Sequence, residues 1–206
     1  MSIGRFISLE GGEGVGKSTQ LRALAEALGK LGKHVLTTRE PGGSPGAEAI
    51  RQLLLSGAGD RWSMRAEALL FAAARADHVE KLIRPALAKG HWVVSDRFLD
   101  SSLAYQGGAG GLGMEAVRAL HGFGSESFLP DRTLVLISPE GAERARRRDG
   151  EAGDRIGGRS PAYHQAVEQA FRQLAMDEPG RVRLVDGAGS IDEVSSRLLG
   201  ELEDSL

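Results

Sequence analysis

Few stretches of a chain leave so little freedom of fold as Gly11-Gly12-Glu13-Gly14-Val15-Gly16-Lys17-Ser18. The pattern G-x-x-x-x-G-K-[ST] needs a strand before it and a helix after it, because its backbone amides must converge on one point. The sequence supplies both. Arg5-Phe6-Ile7-Ser8-Leu9 reads as a short strand, and Leu21, Leu24, Ala25 and Leu28 share one face of a helix over about 18–31. The glycines let the loop curl with its N–H groups inward. The helix start adds unpaired donors and the positive end of a dipole. Such a loop, 11–18 with Thr19 behind it, cradles the phosphates of ATP or another nucleoside triphosphate. Lys17 reaches the β- and γ-phosphates, and the Ser18 hydroxyl ligates Mg²⁺.

Beyond the loop, short β-like runs alternate with longer helical ones. Further strands are expected at 34–38, 92–95, 133–137 and 182–185. The run Thr133-Leu134-Val135-Leu136-Ile137 is almost wholly apolar, as a central parallel strand requires. Helices are expected at about 47–55, 64–87, 114–123, 140–148, 163–176 and 191–202, with Pro85 ending or kinking the second. Five glycines make 101–113 read as a loop, and four make 150–158 read as a mobile one. Alternation of this kind predicts an α/β fold, a five-stranded parallel sheet with helices on both faces, in a single domain over 1–206.

Composition narrows the function classes. The 206 residues are 41% hydrophobic and 26% charged, with a net charge of -2. That balance suits a globular chain and lacks the basic excess of a general nucleic-acid coat. No cysteine is present, which excludes disulfides, thiolate metal sites and cysteine nucleophiles. No apolar run approaches the length of a membrane helix, and the first residues lack the apolar stretch of a signal peptide. The expectation is a cytoplasmic protein that binds neither membrane nor nucleic acid. Asparagine is absent, so the N-K-x-D guanine signature of a GTPase switch is excluded.

Phosphoryl transfer needs charge neutralisation more than covalent chemistry. Asp96, after the apolar Val93-Val94-Ser95, is placed to hold Mg²⁺ directly or through water, although an aspartate there also caps helices. Arg97, at the carboxyl end of a strand, points into the ligand crevice. Arg144, Arg146, Arg147, Arg148, Arg155 and Arg159 surround the Gly-rich segment. The pattern reads as a lid over about 144–159 that brings arginine to the transferring group and excludes water. Arg146 and Arg147 read as a solvated helix face, and Arg155 as functional. No general base stands out. None is needed for a phosphate monoester acceptor, whose second pKa is near ~6. Arg39, Arg75 and Arg97 are the candidates to hold such a phosphate.

Several blocks, in order, resemble bacterial thymidylate kinase over essentially the whole length. They are Phe6-Ile7-Ser8-Leu9-Glu10-Gly11 before the loop, Thr38-Arg39-Glu40-Pro41-Gly42-Gly43, and Glu67-Ala68-Leu69-Leu70-Phe71-Ala72-Ala73-Ala74-Arg75. Ser95-Asp96-Arg97-Phe98, Ser101-Ser102-Leu103-Ala104-Tyr105-Gln106-Gly107-Gly108 and a terminal Asp154-Arg155-Ile156 follow. The resemblance implies a P-loop kinase that makes dTDP and ADP from dTMP and ATP with Mg²⁺, in dTTP synthesis. It also implies a homodimer packed through helices.

The same resemblance assigns an acceptor region at about 39–75. Phe71 resembles the ring that stacks on thymine; on its own it reads as a core phenylalanine. Arg75 resembles a contact to the base or its neighbouring phosphate, and Arg39 and Arg97 binders of the dTMP phosphate, with Pro41 beside them. Ser102 and Gln106 resemble partners of the thymine edge. Tyr105 resembles the residue that crowds the sugar 2′ position, and Glu13 the acid that touches the 3′-hydroxyl. Gly14 occupies the loop position where one form of the family carries its extra arginine, so the chain resembles the form with that arginine, Arg155, in the lid. Ser102 stands where threonine is common, and the lid reads slightly longer than usual. A kinase for another nucleoside monophosphate and a regulatory P-loop ATPase are the alternatives.

Overall fold

The computed structural model describes residues 4–138 and 155–206. The helix expected at 140–148, its four arginines and the start of the Gly-rich segment lie outside the described residues. Strand β1 (Phe6–Gly11) runs two residues further than its apolar pattern, straight into the phosphate loop. Helix α1 (Lys17–Lys30) leaves that loop, β2 (Val35–Arg39) follows, and Ser44 caps α2 (Pro45–Leu55) by accepting from the Ala47 amide at 3.3 Å.

The long helix expected at 64–87 is helical throughout but not one regular α-helix. It divides into α3 (Met64–His78), a π turn (Val79–Ile83) and α4 (Arg84–Ala88). The wide turn lies directly ahead of Pro85, whose missing N–H interrupts the regular ladder. Strand β3 (Trp92–Asp96) then enters the sheet.

The next segment corrects the sequence reading. Rather than a loop over 101–113, α5 (Leu99–Ser102) continues into a π-helix (Leu103–Ala109), and Leu103, Ala104, Tyr105, Gln106 and Gly107 are buried. Its glycines serve close packing: a Cβ on Gly108 would sit 2.8 Å from the Ala170 Cβ. Helix α6 (Met114–Ser125), β4 (Arg132–Ile137), α7 (Pro161–Asp177), β5 (Val182–Asp186) and α8 (Ile191–Gly200) complete the element order.

All strand pairs are parallel, in the order β2-β3-β1-β4-β5. Period-two alternation sends side chains to two cores. Phe6, Val93, Val135 and Val182 pack with Phe98, Leu103, Val117 and Phe171 on one face. Ile7, Leu9, Val94, Leu134 and Val185 pack with Leu24, Leu28, Val194 and Leu198 on the other. The carboxyl ends of β1, β2 and β3 therefore meet in one crevice, where open α/β sheets bind ligands.

Candidate active site

The ends of β2 and β3, the loop after β1 and residues of α1, α2, α3, α5 and the π-helix line a cavity of about 470 Å³. Its donor wall is the phosphate loop. Helix α1 begins at Gly16, in the left-handed region at φ 93°, with no side chain capping it. The first amides of α1 are therefore left without side-chain acceptors at the cavity wall. Lys17 Nζ donates to Gly11 O at 3.1 Å and Gly12 O at 2.5 Å, which folds the side chain back along the loop. Burial pushes its pKa down to about 8, so the ammonium persists at neutral pH. Val15 packs into the core rather than the cavity. Gly14, Gly16, Ser18 and Thr19 line the opening. Ser18 Oγ donates to Asp96 Oδ2 at 3.0 Å.

Arg97 stands between the donor and acceptor walls. Its φ of 71° is unusual for a non-glycine residue. Neighbours hold that conformation: Arg97 N donates to Leu9 O at 3.0 Å, Ser95 Oγ to Arg97 O at 2.7 Å, and Phe98 N to Glu10 Oε1 at 2.7 Å. The guanidinium donates to Gly11 O at 3.0 Å and Glu13 Oε1 at 2.5 Å, and lies over the Tyr105 ring. Tyr105 Oη in turn donates to Glu13 Oε1 at 3.3 Å. Arg97 holds the Glu13 carboxyl down at about 2. Glu10, three residues earlier, is displaced the other way: burial, with Asp100 behind it, pushes it up to about 7. Ser101 bridges the two residues, accepting from Arg97 Nη1 at 3.0 Å and donating to Glu10 Oε2 at 2.6 Å.

The acceptor wall collects Arg39, Pro41, Phe71, Arg75, Ser102, Tyr105 and Gln106 in the same cavity. Arg75 is pinned on three sides, to Glu40 Oε2 at 2.7 Å, Ser102 Oγ at 2.7 Å and Phe98 O at 3.2 Å. His78 Nδ1 lies 3.1 Å from the other Glu40 oxygen. Gln106 Nε2 donates to Glu67 Oε1 at 2.9 Å. Arg39 is exposed and reaches Glu48 at 3.3 Å. Five cationic side chains and three carboxylates line the cavity, so it favours an anionic occupant.

Arg155 is placed elsewhere. Its guanidinium is buried against Glu67 and donates to Leu54 O at 3.0 Å and Gly59 O at 3.2 Å, while its neighbour Ile156 lines the cavity. The residues that sequence reading left without a role are mostly acids. Glu10, Glu40 and Glu67 are buried, and each fixes a cavity residue. An acid inside an apolar run, as Glu10 is, was the available signal. Arg51, whose Nη1 donates to Pro41 O at 2.7 Å, and Ser101 also line the cavity.

The family model described as thymidylate kinase matches residues 9–198. The chain belongs to the thymidylate kinase family. The thymidylate kinase of Rhizorhabdus wittichii is 60% identical over 207 residues, covering 98% of this chain and 99% of that protein. That of Bradyrhizobium diazoefficiens is 46% identical over 206 residues, covering 98% and 90%. The crystal structure of the Ehrlichia chaffeensis thymidylate kinase superposes with a TM-score of 0.80 at 27% identity, over 97% of this chain and 99% of that one. Within the thymidylate kinase family the sheet order and the loop after β1 are those of a P-loop NTPase fold. No helix of the described residues is long and apolar enough to cross a membrane.

Proposed function

We propose that the chain transfers the γ-phosphoryl group of ATP to dTMP, giving ADP and dTDP, in the cavity between the phosphate loop and Phe71. One observation carries this reading: the phosphate loop and the wall of Arg39, Phe71, Arg75 and Gln106 open into one cavity, with Arg97 between them. The acceptor is already ionised near neutral pH, so the enzyme's task is placement and charge neutralisation. The α1 amides and Lys17 hold the β- and γ-phosphates. Arg39 and Arg97 hold the dTMP phosphate in line. Phe71 stacks on the base, Tyr105 crowds the 2′ position, and Glu13 meets the 3′-hydroxyl.

The Ser18 hydroxyl and Asp96 carboxylate are hard oxygen donors already within 3.0 Å, and they fit Mg²⁺. No cluster of three or more His, Cys, Asp or Glu suited to a metal occurs among the described residues. When bound, Mg²⁺ neutralises charge on the β- and γ-phosphate oxygens.

Arg155 would reach the moving phosphoryl group only by exchanging its Glu67 contact, which Arg159 also makes. Arg155→Ala is expected to lower kcat about a hundredfold with the KM for dTMP within about threefold. A loss confined to KM would remove Arg155 from the chemistry. A homodimer packed through helices is supported by exposed Leu53 on α2, Leu69 on α3 and Phe123 on α6.

The deciding experiment follows ADP formation from ATP and Mg²⁺ with dTMP, dUMP, dCMP, UMP, AMP, GMP or no acceptor. Selective turnover of dTMP is expected. Turnover of another monophosphate would discard the base pocket, and equal ADP release without any acceptor would indicate a regulatory ATPase.

A further inference from the structure

Glu67 is completely buried, and its two carboxylate oxygens have separate partners. Oε2 accepts from the guanidinium of Arg155 and, at 2.6 Å, from Arg159 Nη2. Oε1 accepts from Gln106 Nε2 at 2.9 Å. All three neighbours are donors aimed at its oxygens, so Glu67 acts as the acceptor in each contact. The consequence falls on Gln106. A free side-chain amide presents either its oxygen or its nitrogen, since a half-turn exchanges two groups of nearly equal size. Held against an obligate acceptor, it must give its nitrogen to Glu67 and turn its oxygen the other way.

We propose that Glu67 is a positioning residue for base specificity: it locks the Gln106 amide so that the cavity meets an acceptor beside the permanent donor Arg75. This rests on the reading that Gln106 and Arg75 face the base edge. Thymine offers a carbonyl acceptor, O4, next to a donor, N3–H, and so matches that pair. Cytosine offers the amino donor N4 next to an acceptor, N3, and mismatches at both positions. A site built to hydrogen-bond one pattern rejects the other because its own polar groups are left unpaired. Uracil has the same edge as thymine, so Glu67 contributes nothing to the choice between dTMP and dUMP.

The test is kcat/KM for dTMP, dUMP and dCMP in the wild type and in Glu67→Gln, which allows Gln106 to turn. The dTMP:dCMP ratio is expected to fall at least about tenfold, and the dTMP:dUMP ratio to stay within about twofold. General damage to the pocket would move both ratios or neither, and either result overturns the proposal. If Glu67→Gln does not fold, Gln106→Leu decides, because it removes the amide oxygen while Glu67 keeps both guanidinium partners. The dTMP:dCMP ratio of that variant should fall at least about tenfold; an unchanged ratio would show that Gln106 presents no acceptor to the base and overturn the proposal. A wild-type enzyme that prefers dCMP or leaves dTMP untouched overturns the underlying pocket reading. Unchanged ratios in Glu67→Gln beside a selective wild type overturn the role of Glu67 alone.

Discussion

The two walls of the cavity are built on different principles. The donor wall is one contiguous stretch, 11–18, in which backbone does most of the work: uncapped helix amides, and glycine carbonyls that hold Lys17. The acceptor wall is assembled from β2, α3, the β3 end and the π-helix, and its arginines come already paired with acids. Arg75 sits on Glu40 with both side chains below 5% exposed, at 3% and 4%, and Arg97 sits on Glu13. A backbone cradle costs little to leave empty, because water can reach its dipoles. Buried guanidinium groups without their carboxylates would not survive folding. The difference predicts that donor-wall substitutions act on turnover with the fold intact, and acceptor-wall substitutions act on the fold first.

The largest expected effect belongs to the donor wall. Lys17→Ala removes the side-chain charge that we propose meets the transferring phosphoryl group. Turnover should fall about a thousandfold, ~4 kcal/mol at the transition state. Only two backbone carbonyls lose a donor, so urea midpoints should barely move. A lowered midpoint would break the contrast between the walls. Arg75→Ala is the counterpart. It strips Glu40 of its guanidinium and leaves a buried carboxylate facing His78. Losing one partner of a buried pair costs about 3–5 kcal/mol, and His78 places this case near the lower end, about 3 kcal/mol by chemical denaturation. Unchanged stability would mean that Glu40 is far wetter than its burial indicates.

A third test divides the walls at the level of two neighbouring acids. Glu10 is raised from 4.5 to about 7 by burial and Glu13 is lowered to about 2 by Arg97. For Glu10 the folded chain holds the proton to higher pH than the unfolded chain. Stability is then full below about pH 4.5 and declines as the pH rises to about 7, by about 3 kcal/mol at most. Glu10→Gln should flatten that decline when unfolding is compared at pH 5 and pH 8. Parallel curves for the two proteins would mean that the hydrogen bonds from Ser8, Phe98 and Ser101 outweigh burial.

The same contrast explains what could be read from the sequence. The phosphate loop is local, so its residues, its flanking strand and helix, and the sheet they imply were all legible from spacing. The acid partners were not. Glu40 meets Arg75 across 35 residues, and Glu67 meets Arg155 across 88. No periodicity encodes such pairs. The π-helix at 103–109 was misread because its glycines suggest a loop by composition, whereas Gly108 relieves contact with α7 and Gly107 with the start of α6. Arg155 was assigned to a lid from local charge, and its contacts with Leu54, Gly59 and Glu67 had no sequence signature.

Arg39 gives the smallest expected effect on the fold and the sharpest test of the contrast, because it is an acceptor-wall arginine without a buried partner. Its ion pair with Glu48 is long, 3.3 Å, and the two side chains are 57% and 41% exposed. Exposed pairs of this kind contribute about 0–1 kcal/mol, since solvent screens them and ordering two long side chains offsets the attraction. Arg39→Ala should therefore change stability by less than about 0.5 kcal/mol. Its effect belongs in binding: with one of the two arginines proposed to hold the phosphate gone, the KM for dTMP should rise about tenfold while that for ATP stays put. Salt should erode the wild-type advantage, because an exposed charge is screened within about 8 Å at physiological ionic strength. A stability loss comparable to that of Arg75→Ala would show that exposure does not separate the two arginines. Equal rises in both KM values would place Arg39 at the loop rather than at the acceptor.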